Sequence, residues 1–345
     1  MLSSLSRFHM IADENLRSIE VGQEALGMAE QMGLDELRAH ALDSIGISRA
    51  RIGDERGIAD LDQSIALAVA HNSLECVRGY ANLGNAMVEY GDLARAFDLY
   101  QQGRDAARRF GDVDRILWFE VERIYECYWR GRWDEAQRLA DEIVSQADAG
   151  SPSAAEHDAR LVRARIRLGR GQEPAALGDS TRALELGRHA GYPEMLVPSL
   201  ALQARVLEAA GRAAEASQLA DELLEIWPGR CPTSYWVSDL AFTLRQVGRP
   251  HALAVAARSA PAASRWLDAG LALAAGDAAG AAEKYAEIGS LPDEATARLF
   301  AARAALAAGG RAAAEAQLRL VLETFRQLAA TRYLREAEAL MAIPA

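Results

Sequence analysis

Lysine is almost missing from this sequence: Lys284 stands alone against 37 arginines, an imbalance that reads as codon bias rather than chemistry. That lysine follows no glycine-rich loop, and no GxxxxGK[ST] occurs, so a P-loop phosphate cradle is excluded. Cysteine is scarce too. Cys76, Cys127 and Cys231 are odd in number and form no CxxC pair, which excludes a disulfide framework and points to a reducing, cytoplasmic setting. Cys127 lies in an apolar helical stretch and reads as a buried structural thiol rather than a reactive one. The six histidines (9, 40, 71, 157, 189, 251) make no HxH or HExxH, so no zinc site is expected. There is no GxSxG elbow and no kinase signature. "GRGQEPAALG" has one GxG but no third glycine in register. No cofactor is expected.

Long apolar runs are also absent. "WLDAGLALAAGDAAGAA" holds Asp268 and Asp277 and is too short to span a bilayer. "MLSSLSRFHMIADEN" has no apolar core of a signal peptide. The net charge is −11, and residues 1–160 carry 29 acids against 17 arginines. Such a chain repels phosphate backbones, so direct nucleic-acid binding is not expected. No stretch alternates β-branched and polar residues as a half-buried strand does.

What is present is a repeat. One series of turn-forming residues runs Gly33, Asn72, Gly111, Gly150, Gly191, Gly229, Pro261, Ser290. A second falls between them: Asp13, Gly53, Gly91, Gly131, Gly169, Gly211, Gly248, Gly276, Gly309. The intervening segments place apolar residues at i, i+3, i+4 and i+7, as in "VRGYANLGNAMVEYG". Two interleaved series of turns predict an all-α solenoid of nine helical hairpins, with "TRYLREAEALM" as a C-terminal capping helix. The period is near 39 residues over 1–230 and shorter over 231–345, which predicts two segments with a kink near residue 230. The first hairpin has no polar cap before it, so further repeats upstream are an expectation.

"YANLGNAMVEYGDLARAFDLY" resembles the tetratricopeptide repeat (TPR). Tyr80 takes the first large position, Leu83-Gly84 the LG pair, and Ala96 and Tyr100 the small and aromatic positions of the second helix. "ALQARVLEAAGRAAEASQLADELLEIWP" is similar, with Ala216 and Pro228 in register. The longer period, with phrases such as "GLDELRAHALDSIG" and "WRGRWDEAQRLADE", is similar to the MalT-like C-terminal helical-repeat regions of bacterial signalling ATPases, large ATP-binding transcriptional regulators and class III nucleotide cyclases. That resemblance implies an architecture; in that group the catalytic or DNA-binding domain lies elsewhere in the chain.

The aromatic stretch "ILWFEVERIYECYWRGRW" (116–133) is the most distinctive local feature. Taking the glycine inside each hairpin as a fixed reference, the family's groove positions fall on Arg78, Asn85 and Glu89, then on Trp118, Val121, Tyr125, Tyr128 and Trp129. They continue on Glu156, Arg163 and Arg167, then on Arg205 and Glu208. Arg160 and Arg170 lie beside this stripe. The expectation is an aromatic floor of Trp118, Tyr125 and Trp129, partly exposed and within reach of Arg163 or Arg167. Arginine pairs with carboxylate or phosphate as a fork and stacks on aromatic rings. The other reading is that the rings only pack the seams between hairpins. A second aromatic group, Trp227, Tyr235, Trp236 and Phe242, is expected to pack a junction where the period shortens.

Two functions fit. One is a non-catalytic scaffold or regulatory module that binds a protein or peptide partner. The other is a sensor groove for a small anionic effector that controls a separate output domain. A hydrolase or transferase on this scaffold has no sequence feature in its favour.

Overall fold

The computed structural model describes residues 1–151, 153–227, 231–260 and 264–343. Nineteen α-helices are found among them, nine pairs and a last single helix: the chain is an all-α solenoid. Its described residues fall into two compact units, Met1–Glu122 and Arg123–Ala260 with Ser264–Ala345. The division expected after residue 230 borders Pro228, Gly229 and Arg230, which lie outside the described residues, as does the expected turn at Pro261. Of the two compact units, the first ends at Glu122 and the second starts at Arg123.

The first unit holds α1 (Leu2–Ile11), α2 (Asn15–Gln31), α3 (Asp35–Arg51), α4 (Arg56–Ala70), α5 (Glu75–Tyr90) and α6 (Leu93–Phe110). Helix α7 (Val113–Trp129) begins in it and ends in the second. Gly84 of α5 is where the pair α5–α6 closes. A Cβ there would sit 2.2 Å from the Tyr100 ring, and the Tyr100 hydroxyl donates to Asn85 Oδ1 at 2.7 Å. The small residue lets the helices approach and the aromatic fills the gap. Serines do similar work nearby: Ser6 Oγ donates to the Ser18 carbonyl at 2.8 Å, and Ser48 Oγ donates to Ser18 Oγ at 2.9 Å, all buried.

The second unit continues with α8 (Trp133–Asp148), α9 (Glu156–Gly169), α10 (Glu173–Ala190), α11 (Pro193–Ala209) and α12 (Ala213–Ile226). Then come α13 (Trp236–Gln246), α14 (His251–Ala256), α15 (Arg265–Ala274), α16 (Ala278–Ile288), α17 (Leu291–Ala307), α18 (Arg311–Gln327) and α19 (Thr331–Met341). First helices of successive hairpins touch, α9 on α11, α11 on α13 and α13 on α15, so they form one wall. An isolated hairpin cannot cover its apolar face, and stacking supplies the core. Leu161, Ala164 and Leu168 of α9 meet Ala176 and Ala183 of α10 and Leu202 and Val206 of α11 in one buried cluster. Trp227 and Trp236 are buried edge to face with ring centroids 5.2 Å apart.

The turn between α9 and α10 differs from the sequence expectation. It is Gly171, φ +69°, that occupies the left-handed region, not Gly169. Gly169 is the last residue of α9, and a Cβ on it would lie 2.6 Å from the Trp133 ring. Its glycine serves close packing, whereas the glycine at 171 serves the turn.

Ala329, between α18 and α19, has φ +50°, a region that costs an L-residue about 1–2 kcal/mol. Glycine adopts it freely but loses more entropy on folding. Ala329→Gly is therefore expected to stabilise the chain by about 1 kcal/mol. A urea midpoint that stays put or falls would show the turn to be unstrained.

Candidate functional site

With Gly171 as the reference, the residue six positions before the turns at Gly131, Gly171, Gly211, Gly248 and Gly309 forms a ladder on the wall of the second unit; the same position of α15 is Gly270, which adds no side chain. Tyr125, Arg165, Arg205, Phe242 and Arg303 come from α7, α9, α11, α13 and α17. Tyr125 OH donates to Asp158 Oδ1 at 2.8 Å and lies 3.2 Å from the Tyr235 hydroxyl. Its ring stacks on Trp129 at 5.3 Å, and Trp129 meets Tyr235 edge-on at 5.5 Å and Trp266 at 6.0 Å. The Arg165 guanidinium lies 5.2 Å from the Tyr235 ring centroid.

Asp239 of α13 joins the two arginines. Arg165 donates to its Oδ2 from Nε (3.0 Å) and Nη2 (2.8 Å), and Arg205 Nη1 donates to its Oδ1 at 2.6 Å. Arg205 also donates to Tyr333 OH at 3.0 Å and covers Phe242 at 4.8 Å. Arg165 and Arg205 are 7% and 8% exposed, and Asp239 is 2%. Burial alone would raise the Asp239 pKa, but Arg165 and Arg205 hold it below the usual carboxylate range. Asp293 lines the same cavity without such a fork. Burial pushes it up to about 6, against the pull of Arg205 and the Ser290 hydroxyl, which donates to Asp293 at 2.5 Å.

The cavity among Tyr125, Trp129, Arg165, Tyr235, Asp239 and Asp293 is about 10 Å³, and a second beside Arg205, Phe242, Arg303 and Tyr333 is about 40 Å³. Spaces of this size hold one water or a few. Arg165 Nη1 is buried and makes no hydrogen bond among the described residues, which leaves one donor for such a water. Burial pushes the Cys127 thiol up to about 11 and raises Cys76, which disfavours the thiolate at both.

The sequence-derived site residues separate into three groups. Tyr125 and Arg205 belong to the ladder and Trp129 stacks against it, but Tyr125 and Trp129 are only 5% and 3% exposed, so they offer no open floor. Asn85, Glu89 and Trp118 lie in the first unit. Asn85 accepts from Tyr100, and Trp118 is half-buried against Tyr100 (5.5 Å) and Phe119 (4.9 Å). Arg163 and Arg167 are the correction. Counting from Gly169 instead of Gly171 shifted the register by two residues and selected the face of α9 that packs on its neighbours. Arg163 donates to Asp179 from Nε (2.8 Å) and Nη2 (2.6 Å) and to Asp141 (2.9 Å). Arg167 donates to Asp179 at 2.7 Å, and Arg160 to Glu156 at 2.8 Å and Asp179 at 3.3 Å. Arg170 reaches Gln137 at 2.7 Å. This stripe staples α9 to α8 and α10. Arg165, Asp158, Tyr235, Asp239, Asp293 and Arg303 were missed, although the equal spacing of Gly131, Gly171 and Gly211 carried the signal for Arg165. Phe242 and Tyr235, expected in the junction, face the ladder instead.

Asp179 serves three guanidiniums, so its loss leaves three buried or half-buried cations short of a partner. Asp179→Ala is expected to cost about 3–5 kcal/mol, and Arg163→Ala, which leaves Asp179 two partners, about 1–2 kcal/mol. Equal shifts in denaturant midpoint would sink the staple. For Asp293, a folded pKa near 6 exceeds the unfolded value of about 3.9, so its contribution is full below about pH 4 and is lost as pH rises through 6. Asp293→Asn mimics the protonated form. Its stability relative to the parent should grow by about 2–3 kcal/mol between pH 4 and 7 and then level off. A difference that is flat in pH counts against a raised pKa.

No family model and no curated protein matches the chain. Solved structures do. The Rap protein complexed with competence and sporulation factor aligns over 95% of this chain and 97% of its own, with a TM-score of 0.69 and 14% identity. The apo form of RapI aligns over 95% and 97%, with a TM-score of 0.49 and 10% identity. The apo form of the quorum sensor NprR from B. thuringiensis aligns over 99% and 88%, with a TM-score of 0.44 and 15% identity. At these identities, the likeness to Rap shows a shared helical-repeat fold.

Proposed function

We propose that the chain is a non-catalytic interaction module, a scaffold or regulatory TPR-type solenoid of bacterial signal transduction, acting in the cytoplasm on a protein or peptide partner. The observation that carries this reading is the ladder. Five hairpins of the second unit each bring one large side chain, Tyr125, Arg165, Arg205, Phe242 and Arg303, to a single wall, and Asp239 ties Arg165 to Arg205. Where this wall is only half-buried, at Arg303, the guanidinium meets the carboxylate of Glu336 on a helix, the kind of contact a helical or extended segment can make. The solenoid of Rap, solved in complex with competence and sporulation factor, is a precedent for a factor held by this fold.

The second reading, a pocket for a small anionic effector, has Arg165 Nη1 in its favour. At the ladder, cavity size stands against it, since the cavities of about 10 and 40 Å³ compare with roughly 300–1,000 Å³ for ligand pockets. A wide cleft of about 580 Å³ lies beside Arg138 and Arg170, but Asp134, Asp141 and Glu142 line it and disfavour an anion. No helix among the described residues is long and apolar enough to cross a membrane.

An array of helical and extended peptides, probed with the purified full chain, is expected to enrich binders that combine aromatic and acidic residues, with affinity that weakens in salt. Small mono- and dicarboxylates should leave the melting temperature unchanged. Stabilisation by small carboxylates with no peptide binder would overturn the module reading in favour of the sensor. ATP hydrolysis or cyclisation above background, lost on a single carboxylate substitution, would overturn both.

A further inference from the structure

Helix α19 has no hairpin partner, and its contacts go beyond capping. It packs on α17 and α18, as a terminal cap must, and also on α9. Thr331 Oγ1 donates to the Arg170 carbonyl at 2.6 Å, across 161 positions of sequence. Arg332 Nη1 donates to Glu173 at 3.1 Å and to the Ala209 carbonyl at 3.4 Å. Tyr333 OH accepts from Arg205, and Glu336 accepts from Arg303 Nη2 at 2.5 Å. Both arginines are ladder residues.

These bonds differ in kind from the rest of the wall. Of the eleven residues of α19 only Ala337 is buried; Tyr333 packs on Phe325 with ring centroids 5.5 Å apart, and the bonds to α9 and α17 are polar or ionic and sit at side-chain ends. Elements held this way open before the core does. The link to α18 contains Ala329, a non-glycine in the left-handed region. Beneath α19, Leu168, Phe242, Leu299 and Phe300 form an apolar floor, with Arg205 and Arg303 at its polar rim. An apolar floor with charged edges, already covered by a helix, is the form of a helix-binding groove.

We propose that α19 is the intramolecular occupant of a helix-binding groove on this wall, and that the partner is a helix placing an aromatic hydroxyl opposite Arg205 and a carboxylate, three residues on, opposite Arg303. This rests on the module reading and adds the site, the partner pattern and its regulation. Residues three apart share a helix face, so Tyr333 and Glu336 define the pattern that a competitor must copy. A competing helix is held back by the fraction of time α19 is seated.

The test uses the full-length chain. Hydrogen exchange should show α19 amides exposed well before those of α9, α11 and α17. A fluorescein-labelled peptide of residues 328–343 should bind the Tyr333→Ala/Glu336→Ala chain roughly 10-fold or more tighter than the parent, because the internal competitor is weakened. Adding Arg303→Glu to that chain should abolish binding of this peptide and admit the same peptide carrying Glu336→Arg. The inference is overturned if α19 exchanges only together with α17 and α18 and the peptide binds neither chain. It is also overturned if the weakened chain dimerises by light scattering without taking up peptide. If peptides of the array still bind the weakened chain in that case, the groove inference alone has failed; if none does, the module reading falls with it.

Discussion

A single buried carboxylate, Asp239, holds two buried guanidiniums from two other helices. Arg165 reaches it from α9 and Arg205 from α11, and the carboxylate is on α13. Burying three charges is unfavourable unless each is paired and hydrogen-bonded, and removing one partner strands the others. The wall can therefore curve only in ways that keep those three helices in register. The rings above and below, Tyr235 over Arg165 and Phe242 over Arg205, complete the enclosure with apolar faces that guanidinium tolerates better than ammonium does.

A second carboxylate acts in a similar way at the seam between hairpins. Asp179 gathers Arg160, Arg163 and Arg167 from α9. The helix thus carries two arginine faces. One lies between hairpins and fixes their spacing; the other, Arg165, enters the wall. They are two residues apart in sequence, roughly 200° apart around the helix at 3.6 residues per turn.

That geometry explains how much of the molecule was legible. Hairpin number and the terminal helix follow from turn residues and helical periodicity, because both are local properties. Gly84 and Tyr100 stood out through the tetratricopeptide resemblance, and the structure supplies their close approach. The wall was legible only to the accuracy of one turn. "GRG" offers two glycines, and choosing between 169 and 171 decides which face of α9 is assigned to the site. Glycine that permits close packing and glycine that permits a left-handed turn look the same in a sequence. The acidic members, Asp239 and Asp293, were beyond reach: nothing local marks a first-helix aspartate as buried, and its partners come from hairpins many residues away.

The near absence of lysine acquires a meaning from where the arginines stand. The cations of both buried clusters are guanidinium. An ammonium group can be acetylated, or can shed its proton when buried, and each event silences a charge. Guanidinium does neither. The networks that set hairpin spacing and hold the wall together are thus out of reach of acyl-transfer enzymes, and their charge cannot be edited from the basic side. What remains open to change is the acidic side, as at Asp293, or a competing contact.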